Sequence, residues 1–297
     1  MSALAACGGD GSDDGPAPSA ARAGHLLLVN GDNSVVNCTV GRDGDITTCE
    51  GGFVDGLDGP GSIEVSGSRA FVSDLSDHAI AVCQLGAGGQ LSACASTPDD
   101  SFVAPLGMHI AEGRLFVARS DDAVAVCATS GAAPSDCVTS SAGGLLRGPT
   151  SVAVHERTLY VANQHDQSIV SCRLDGDFAP TSCTRQAGDG VFDGPTGLAY
   201  EAGRLYVTNV GDDSITVCQA SAIGHVSDCR RFTFEGQLSN PTDIALNGDR
   251  AYVTNLGDNT LATCRLDGDG GIAGCEAGEA GTLFMYPSGV AFSPSAS

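Results

Sequence analysis

A unit of about 45 residues recurs along the chain, and this repeat restricts the possible folds more than any other feature of the sequence. Each unit opens on a proline, continues with a strand-like segment such as LYVTN, and ends with two cysteines ten or eleven positions apart. A fixed period of this size is the signature of a repeat architecture. The prolines follow one another at steps of 44 to 46 residues: Pro60, Pro105, Pro149, Pro195, Pro241 and Pro287.

One unit shows what each repeat contains. It reads GPTGLAYEAGRLYVTNVGDDSITVCQASAIGHVSDC, in which four β-rich segments are separated by turn sequences. Turn signals every 8–12 residues are typical of short antiparallel strands. Four strands in about 45 residues form one blade of a β-propeller, whereas separate hairpins would leave unpaired edges that soluble proteins avoid. We therefore predict an all-β propeller of four-stranded blades.

The two ends of the repeat region predict the number of blades and the closure of the ring. The first unit begins at His25 with LLLVN and lacks a proline-led strand before it. The chain finishes on such a strand, YPSGVAF at 286–292. We expect that strand to become the innermost strand of the first blade, which gives six blades. The predicted domains are an N-terminal segment over 1–24 and a six-bladed propeller over 25–297.

The sequence YVTN occurs at Tyr206–Asn209 and again at Tyr252–Asn255. In this motif the chain resembles YVTN-type β-propeller repeats, which look similar to NHL-type propellers. The resemblance covers residues 25–297 and implies the propeller fold. Propellers of this type include surface-layer proteins, scaffolds, lactone hydrolases and lyases, so the fold alone does not select a function. The chain departs from the usual pattern in carrying a cysteine pair in every blade.

Twelve of the 13 cysteines form the repeated pairs, which could be disulfides, zinc ligands or free thiols. Within a hairpin, a separation of eleven places two residues opposite one another, and a separation of ten requires a bulge or an odd loop. A structural zinc site needs four converging ligands, whereas these pairs lie one to a blade on outer strands. We predict six disulfides, and hence an oxidising compartment: Cys38–Cys49, Cys83–Cys94, Cys127–Cys137, Cys172–Cys183, Cys218–Cys229 and Cys264–Cys275.

The charge and composition of the chain exclude some classes of function. It carries 36 acidic and 14 basic residues, all of the latter arginine, for a net charge of -22. Such a field repels nucleic acids, whose binding rests on neutralised phosphates. The absence of tryptophan and the aromatic content of 5% disfavour a carbohydrate site. The sequence contains no run of 18 or more apolar residues, and therefore no membrane-spanning helix is predicted.

The remaining cysteine, Cys7, predicts a lipid anchor. It ends the stretch LAAC at 4–7, which resembles a bacterial lipobox, and a Gly-, Ser-, Asp- and Pro-rich tether follows it. The six residues before Cys7 are too few for a signal peptide, so we expect the true start to lie upstream. The alternative is an unrelated free cysteine. The anchor predicts a monomeric lipoprotein of the bacterial cell envelope, periplasmic or attached to the outer membrane.

An aspartate recurs six positions before the first cysteine of every pair, in the loop between the second and third strands. A ring of six carboxylates could attract a cation, but aspartates also cap their own turns by accepting backbone N–H groups. We favour the structural interpretation for this set: Asp32, Asp77, Asp121, Asp166, Asp212 and Asp258. The DGD stretches at 43–45, 175–177 and 267–269 are likewise interpreted as turns, because they lack the ligand spacing of an EF-hand.

Residues that break the repeat are the candidates for a site. Four residues after the proline, four blades carry alanine, whereas the second and third carry Glu64 and His109. A glutamate with a histidine could act as acid and base or help to bind a divalent cation; the alternative is a pair that only fills the channel. The predicted ligand-binding set is Glu64, His78, His109, Arg119, His165 and Asp243, with Gln164 beside it. The members on the second to fourth blades are expected to face one sector of the channel mouth, and Asp243 lies on the sixth blade.

The function predicted from the sequence is that of a non-enzymatic binding or scaffold module with no resident cofactor, which contacts a protein or small ligand on its channel face. The alternative is a lactonase-like hydrolase or lyase that uses Glu64 and His109 in the central channel, with or without a divalent cation. A convergent cage of carboxylates and histidines would favour the enzyme. A channel filled by small or apolar side chains would favour the binding module.

Overall fold

The computed structural model describes residues 16–187, 190–221, 223–278 and 282–295. It is a six-bladed β-propeller, as the repeat predicts, and each blade is a four-stranded antiparallel sheet. The innermost strands contact one another in a closed cycle around a central channel. Cys7 lies outside the described residues. Within the described residues, no helix is long and apolar enough to cross a bilayer.

The strands are numbered in chain order, and one short 3₁₀ turn at Ala142–Gly144 follows the third blade. Blades 1 to 3 consist of β1 Gly24–Asn30, β2 Ser34–Val40 and β3 Ile46–Phe53; β4 Pro60–Ser66, β5 Arg69–Asp74, β6 Ala79–Leu85 and β7 Leu91–Pro98; and β8 Pro105–Ala111, β9 Arg114–Arg119, β10 Ala123–Ala128 and β11 Ser135–Ser140. Blades 4 to 6 consist of β12 Pro149–His155, β13 Thr158–Asn163, β14 Ser168–Leu174 and β15 Pro180–Ala187; β16 Pro195–Glu201, β17 Arg204–Asn209, β18 Ser214–Ala220 and β19 Val226–Thr233; and β20 Pro241–Asn247, β21 Arg250–Asn255, β22 Thr260–Leu266 and β23 Ile272–Ala277.

The C-terminal strand closes the ring. Strand β24, Pro287–Pro294, pairs antiparallel with β1 from Gly24↔Pro294 to Asn30↔Pro287 and so becomes the innermost strand of blade 1. It also contacts the innermost strands of blades 6 and 2. The first blade is therefore built from both ends of the described chain.

This topology gives the propeller two different faces. The loops between second and third strands and the connections between blades lie on one side, here called the loop face. The hairpin turns between first and second strands, and between third and fourth strands, lie on the other, the turn face. Residues before β1 lie on the turn face, where the backbone N–H of Ala21 donates to Asp249 Oδ1 at 3.1 Å and that of Arg22 to Asn247 Oδ1 at 3.0 Å.

The hydrophobic core is divided into six clusters, and each cluster fills the space between two neighbouring blades. The tyrosine of the YV motif fixes this packing in three blades. Its ring is buried and its hydroxyl donates to a backbone carbonyl in the outer turn of the next blade. The pairs are Tyr160 with Ser221 at 3.2 Å, Tyr206 with Gly270 at 2.8 Å and Tyr252 with Gly44 at 2.7 Å. The motif thus joins blades, which explains its recurrence in the sequence.

All six predicted disulfides are present, one in each blade. Each one joins the third strand to the fourth, the outermost strand, which has a neighbour on one side only. The ladder between β10 and β11 shifts register between Val126 and Ala128, and the third and fourth strands of the other five blades shift register in the same region, so this irregularity accompanies both cysteine spacings. The bridges indicate an extracellular or periplasmic location.

Removing one bridge should destabilise the protein measurably. In the Cys264→Ala/Cys275→Ala variant, we expect the free energy of unfolding to fall by about 3 kcal/mol, because the bridge no longer restricts a loop of about a dozen residues in the unfolded chain. Urea unfolding under non-reducing conditions measures the difference. Addition of a reductant should narrow this difference, since the Cys264–Cys275 bridge is then broken in the original protein as well; an equal difference with and without reductant would contradict the prediction.

Candidate functional site

The central channel narrows where the innermost strands begin. A cavity of about 150 Å³ lies there, and its walls are the first and second residues after the prolines. Most of these side chains are small. The lining residues are Gly61, Ser62, Leu106, Gly107, Thr150, Ser151, Thr196, Thr242, Asp243 and Ser288.

A belt of hydroxyl groups surrounds this constriction and joins neighbouring blades. The residue after the proline donates its hydroxyl to the proline carbonyl of the next blade. Four junctions have this bond: Thr150 to Pro195 at 2.9 Å, Thr196 to Pro241 at 2.8 Å, Thr242 to Pro287 at 3.0 Å and Ser288 to Pro60 at 2.9 Å. Gly61 and Leu106 stand at this position in blades 2 and 3 and have no hydroxyl to donate. The belt is therefore interrupted in the two blades that carry Glu64 and His109.

Among the described residues that line the cavity, Asp243 is the one with an ionisable side chain. Its Oδ2 accepts the backbone N–H of Val290 at 3.0 Å, and its Oδ1 accepts that of Ile244 at 2.9 Å. Burial raises the pKa of Asp243 to about 7, because desolvation disfavours the charged carboxylate. The two N–H donors oppose this rise and the negative charge of Glu64 adds to it. Asp243 is thus poised to exchange a proton near neutral pH.

The corresponding position in blade 4 shows what Asp243 does for the structure. There Ser151 Oγ accepts the backbone N–H of Leu198 in the next blade at 3.2 Å. A neutral hydroxyl therefore performs the junction role that Asp243 performs toward Val290. The carboxylate adds a buried titratable group that the junction itself does not require, which is a pattern seen at functional sites.

Glu64 and His109 approach one another in the channel. The distance from His109 Nδ1 to Glu64 Oε1 is 3.7 Å, and the side chains are 32% and 26% exposed, respectively. The negative charge of Glu64 also acts on Asp243, so these two carboxyl groups influence one another electrostatically. Among the described residues, however, no three His, Cys, Asp or Glu side chains converge closely enough to hold a metal ion.

His78 lies on the loop face, where its side chain accepts a hydrogen bond that has equivalents in four other blades. Its Nδ1 accepts the backbone N–H of Ala104, the residue before the next proline, at 2.9 Å. Equivalent side chains accept the equivalent N–H elsewhere: Asn33 from Gly59, Asp122 from Gly148, Asp213 from Asn240 and Asn259 from Tyr286. This nitrogen of His78 is therefore occupied by a connection between blades.

Arg119 and His165 also lie on the loop face. Arg119 is buried and binds its own loop through two bonds to Asp121, from Nε at 2.9 Å and from a terminal nitrogen at 2.6 Å. The exposed ring of His165 covers Gly148. Arg119 pairs with Pro105 and His109 with Phe116, which separates the two by about 10 Å along the strand. The predicted set thus divides into a channel group and a loop-face group.

Five of the six recurring aspartates of the loops bind their own loops through their carboxylates. Asp32 Oδ1 accepts from the hydroxyl of Ser34, and the same bond recurs from Ser168 to Asp166, from Ser214 to Asp212 and from Thr260 to Asp258. Asp121 instead accepts from Arg119. These carboxylates stabilise loops, which is the role that the sequence analysis favoured for them.

The turn-face end of the channel carries a group of side chains that the sequence analysis missed. The ring of His155 stacks on Tyr200 with centroids 4.1 Å apart, and Tyr200 stacks on Tyr160 at 6.0 Å. Burial raises the pKa of the neighbouring Glu201, and the charge of Arg22 opposes the rise. The signal was variation at the fifth and sixth positions after the proline, where aromatic and charged residues occur in some blades only.

Solved structures with the same architecture place this fold among known propellers. A chain of the nidogen–laminin complex matches with 15% identity and a TM-score of 0.73, over 92% of this chain and 99% of that one. The periplasmic gluconolactonase of Pseudomonas aeruginosa matches with 18% identity and a TM-score of 0.59, over 91% and 88%. A protein of unknown function from Desulfotomaculum acetoxidans matches with 10% identity and a TM-score of 0.60, over 88% and 84%.

The likeness is one of fold. No protein-family model and no curated protein matches the sequence. The neighbours include both a protein from a protein–protein complex and an enzyme, and fold does not decide between these functions. The resemblance to YVTN-type repeats accordingly stays a prediction at the level of the family.

Proposed function

We propose that the protein is an extracytoplasmic binding module that engages a protein partner through its loop face. The observation that carries this proposal is the set of apolar side chains left exposed on that face: Phe53 is 79% exposed, Tyr286 58%, Leu256 37% and Met285 36%. Exposed apolar groups that lie together mark interaction surfaces in soluble proteins. The channel offers a partner much less room, since it narrows to a small cavity.

Two further observations support this proposal. The disulfide in every blade suits a protein that works outside the cytoplasm, and an anchor at Cys7 would keep it at the cell envelope. The structurally similar chain from the nidogen–laminin complex comes from a protein–protein assembly. The loop face is suitable for binding because its loops vary between blades while disulfides and inter-blade bonds hold the strands beneath them.

A lactone hydrolase is the second candidate function. Asp243, Glu64 and His109 place two carboxylates and an imidazole in the channel, where a raised pKa at Asp243 suits proton transfer. The similar periplasmic gluconolactonase supports this alternative by fold. The Glu64→Gln variant tests it: hydrolysis of glucono-δ-lactone faster than the spontaneous reaction, and lost in this variant, would favour the enzyme over the binding module.

Site-specific cross-linking tests the binding function. A photoreactive benzoylphenylalanine in place of Tyr286 should give a discrete adduct in envelope extracts, because this side chain lies in the proposed contact surface. Ile223, which is 75% exposed and lies in a hairpin turn of the turn face, is the matched control position. Adducts from position 223 alone, or from neither position, would contradict a loop-face partner.

A further inference from the structure

Arginines are distributed unevenly over the loop face. In blades 3 to 5 four aspartates of this face are paired with arginines: Asp121 with Arg119 at 2.6 Å, Asp122 with Arg147 at 3.9 Å, Asp166 with Arg185 at 2.8 Å and Asp212 with Arg231 at 2.7 Å. Among the described residues, Asp193 and Asp213 of these blades have no arginine within 4 Å. In blades 1 and 2 no aspartate of this face has an arginine within 4 Å among the described residues. These form the acidic sector: Asp32, Asp55, Asp58, Asp77, Asp99 and Asp100.

A depression of about 840 Å³ lies at one edge of the acidic sector. Pro98, Phe102 and Val103 provide its apolar walls, and Asp77, Asp99 and Asp100 provide carboxylates. Hydrogen bonds from the backbone and side chain of Ser101 hold the pKa of Asp99 below its usual value, which keeps this group charged. An apolar wall below a carboxylate rim suits the aliphatic stem and cationic head of an arginine or lysine.

The exposed apolar side chains adjoin the same sector and form the apolar patch: Phe53, Leu256, Met285 and Tyr286. Tyr286 lies against Gly31, at the start of the loop that carries Asp32 and Asn33. The side chain of Asn33 in turn donates to Asp58 Oδ1 at 3.4 Å. Phe53 stands two residues before Asp55. The patch and the unpaired carboxylates are therefore parts of one continuous surface.

From this juxtaposition, and resting on the proposed function, we infer that the loop face of blades 1, 2 and 6 binds a basic, extended segment of a partner protein, with an arginine or lysine in the blade-2 depression and an aromatic or aliphatic side chain on the apolar patch. Charge complementarity selects a cationic partner. A second copy of this chain would be repelled by the same carboxylates. A simple polyamine could neutralise the acidic sector but would gain nothing from the apolar patch.

Fluorescent peptides of equal length provide the test. The basic–aromatic peptide contains three arginines and three tyrosines separated by glycine; in the basic peptide glycine replaces the tyrosines, and in the acidic peptide glutamate replaces the arginines. We expect anisotropy to show binding of the basic–aromatic peptide, weaker binding of the basic peptide and none of the acidic one. Binding of the first should weaken as salt is raised, since exposed charges are screened.

Two triple variants with the same change of charge localise the contact. Asp55→Asn/Asp77→Asn/Asp100→Asn removes three charges from the acidic sector and should weaken binding of the basic–aromatic peptide about tenfold at low salt. Asp136→Asn/Asp177→Asn/Asp269→Asn removes three exposed charges elsewhere and should change binding of the basic–aromatic peptide less than twofold. The Tyr286→Ala variant should weaken the basic–aromatic peptide and leave the basic peptide unchanged.

Three results would overturn the inference. Equal weakening by both triple variants would show only attraction to the net charge of the protein. Spermine and unlabelled basic–aromatic peptide can be compared as competitors of the labelled peptide. Equal displacement by the two would show that the apolar patch plays no part. Absence of peptide binding, with the position-286 adduct still formed, would remove the basic partner while leaving the proposed function intact.

Discussion

Truncation after Tyr286 is expected to abolish the native structure. Strand β24 is the innermost strand of blade 1, and it buries Val290 and Ala291 against the neighbouring blades. Its loss would expose Leu26 and Leu28, which are fully buried in the intact ring. At about 1.5–3 kcal/mol for each large side chain, this loss is comparable with the whole stability of a typical domain. Near-ultraviolet circular dichroism and thermal unfolding measure the result.

Addition of the missing strand in trans separates loss of closure from general damage. A synthetic peptide of residues 287–295 should restore a cooperative transition to the truncated protein, because it can pair again with β1. A chain that ends at Pro294 keeps the whole of β24 and is the matched control. Unchanged melting of the protein truncated after Tyr286 would show that the ring does not depend on this closure.

Replacement of Asp243 by serine is expected to stabilise the protein above neutral pH. The pKa of Asp243 is raised to about 7 in the folded protein, against about 4 in an unfolded chain. The folded state therefore holds a proton that the unfolded state has lost, and the contribution of Asp243 to stability declines as the pH rises from about 4 to 7. The upper limit of this loss of stability is about 4 kcal/mol, and we expect a loss of about 2 kcal/mol because part of the Asp243 side chain faces the cavity.

Serine is the natural replacement because Ser151 already accepts the equivalent N–H in blade 4. The difference in unfolding free energy between the Asp243→Ser variant and the original protein should widen from pH 5 to pH 8. The reciprocal Ser151→Asp variant should lose stability over the same pH range. A pH-independent difference would mean that Asp243 is not the titrating group in the channel.

The fold could be predicted because every level of the sequence repeats the same information. Prolines, turn sequences and cysteine pairs recur together, and each feature depends only on local backbone geometry. The closing strand was predictable because the incomplete first unit and the final strand complement one another. These properties do not depend on knowing the other blades in space.

The candidate site was only partly predictable because a break in the repeat shows a change of chemistry and not a change of role. His78 replaces asparagine or aspartate at its position, yet its Nδ1 accepts the same backbone N–H that they accept. Arg119 also departs from the pattern, yet its guanidinium group pairs with Asp121 of its own loop. Spacing along a strand separates such residues from His109, and the sequence does not show how deep each lies in the channel.

The course of the first described residues gives the propeller a direction. Ala21 and Arg22 are bound to a hairpin turn of blade 6 through Asp249 and Asn247, so the chain joins the ring on the turn face. A support that held the protein by residues before Pro16 would therefore draw that face toward itself. The opposite face, with its unpaired carboxylates and exposed rings, would look outward into the surrounding medium. The propeller would therefore be oriented with its turn face toward the support and its loop face away from it.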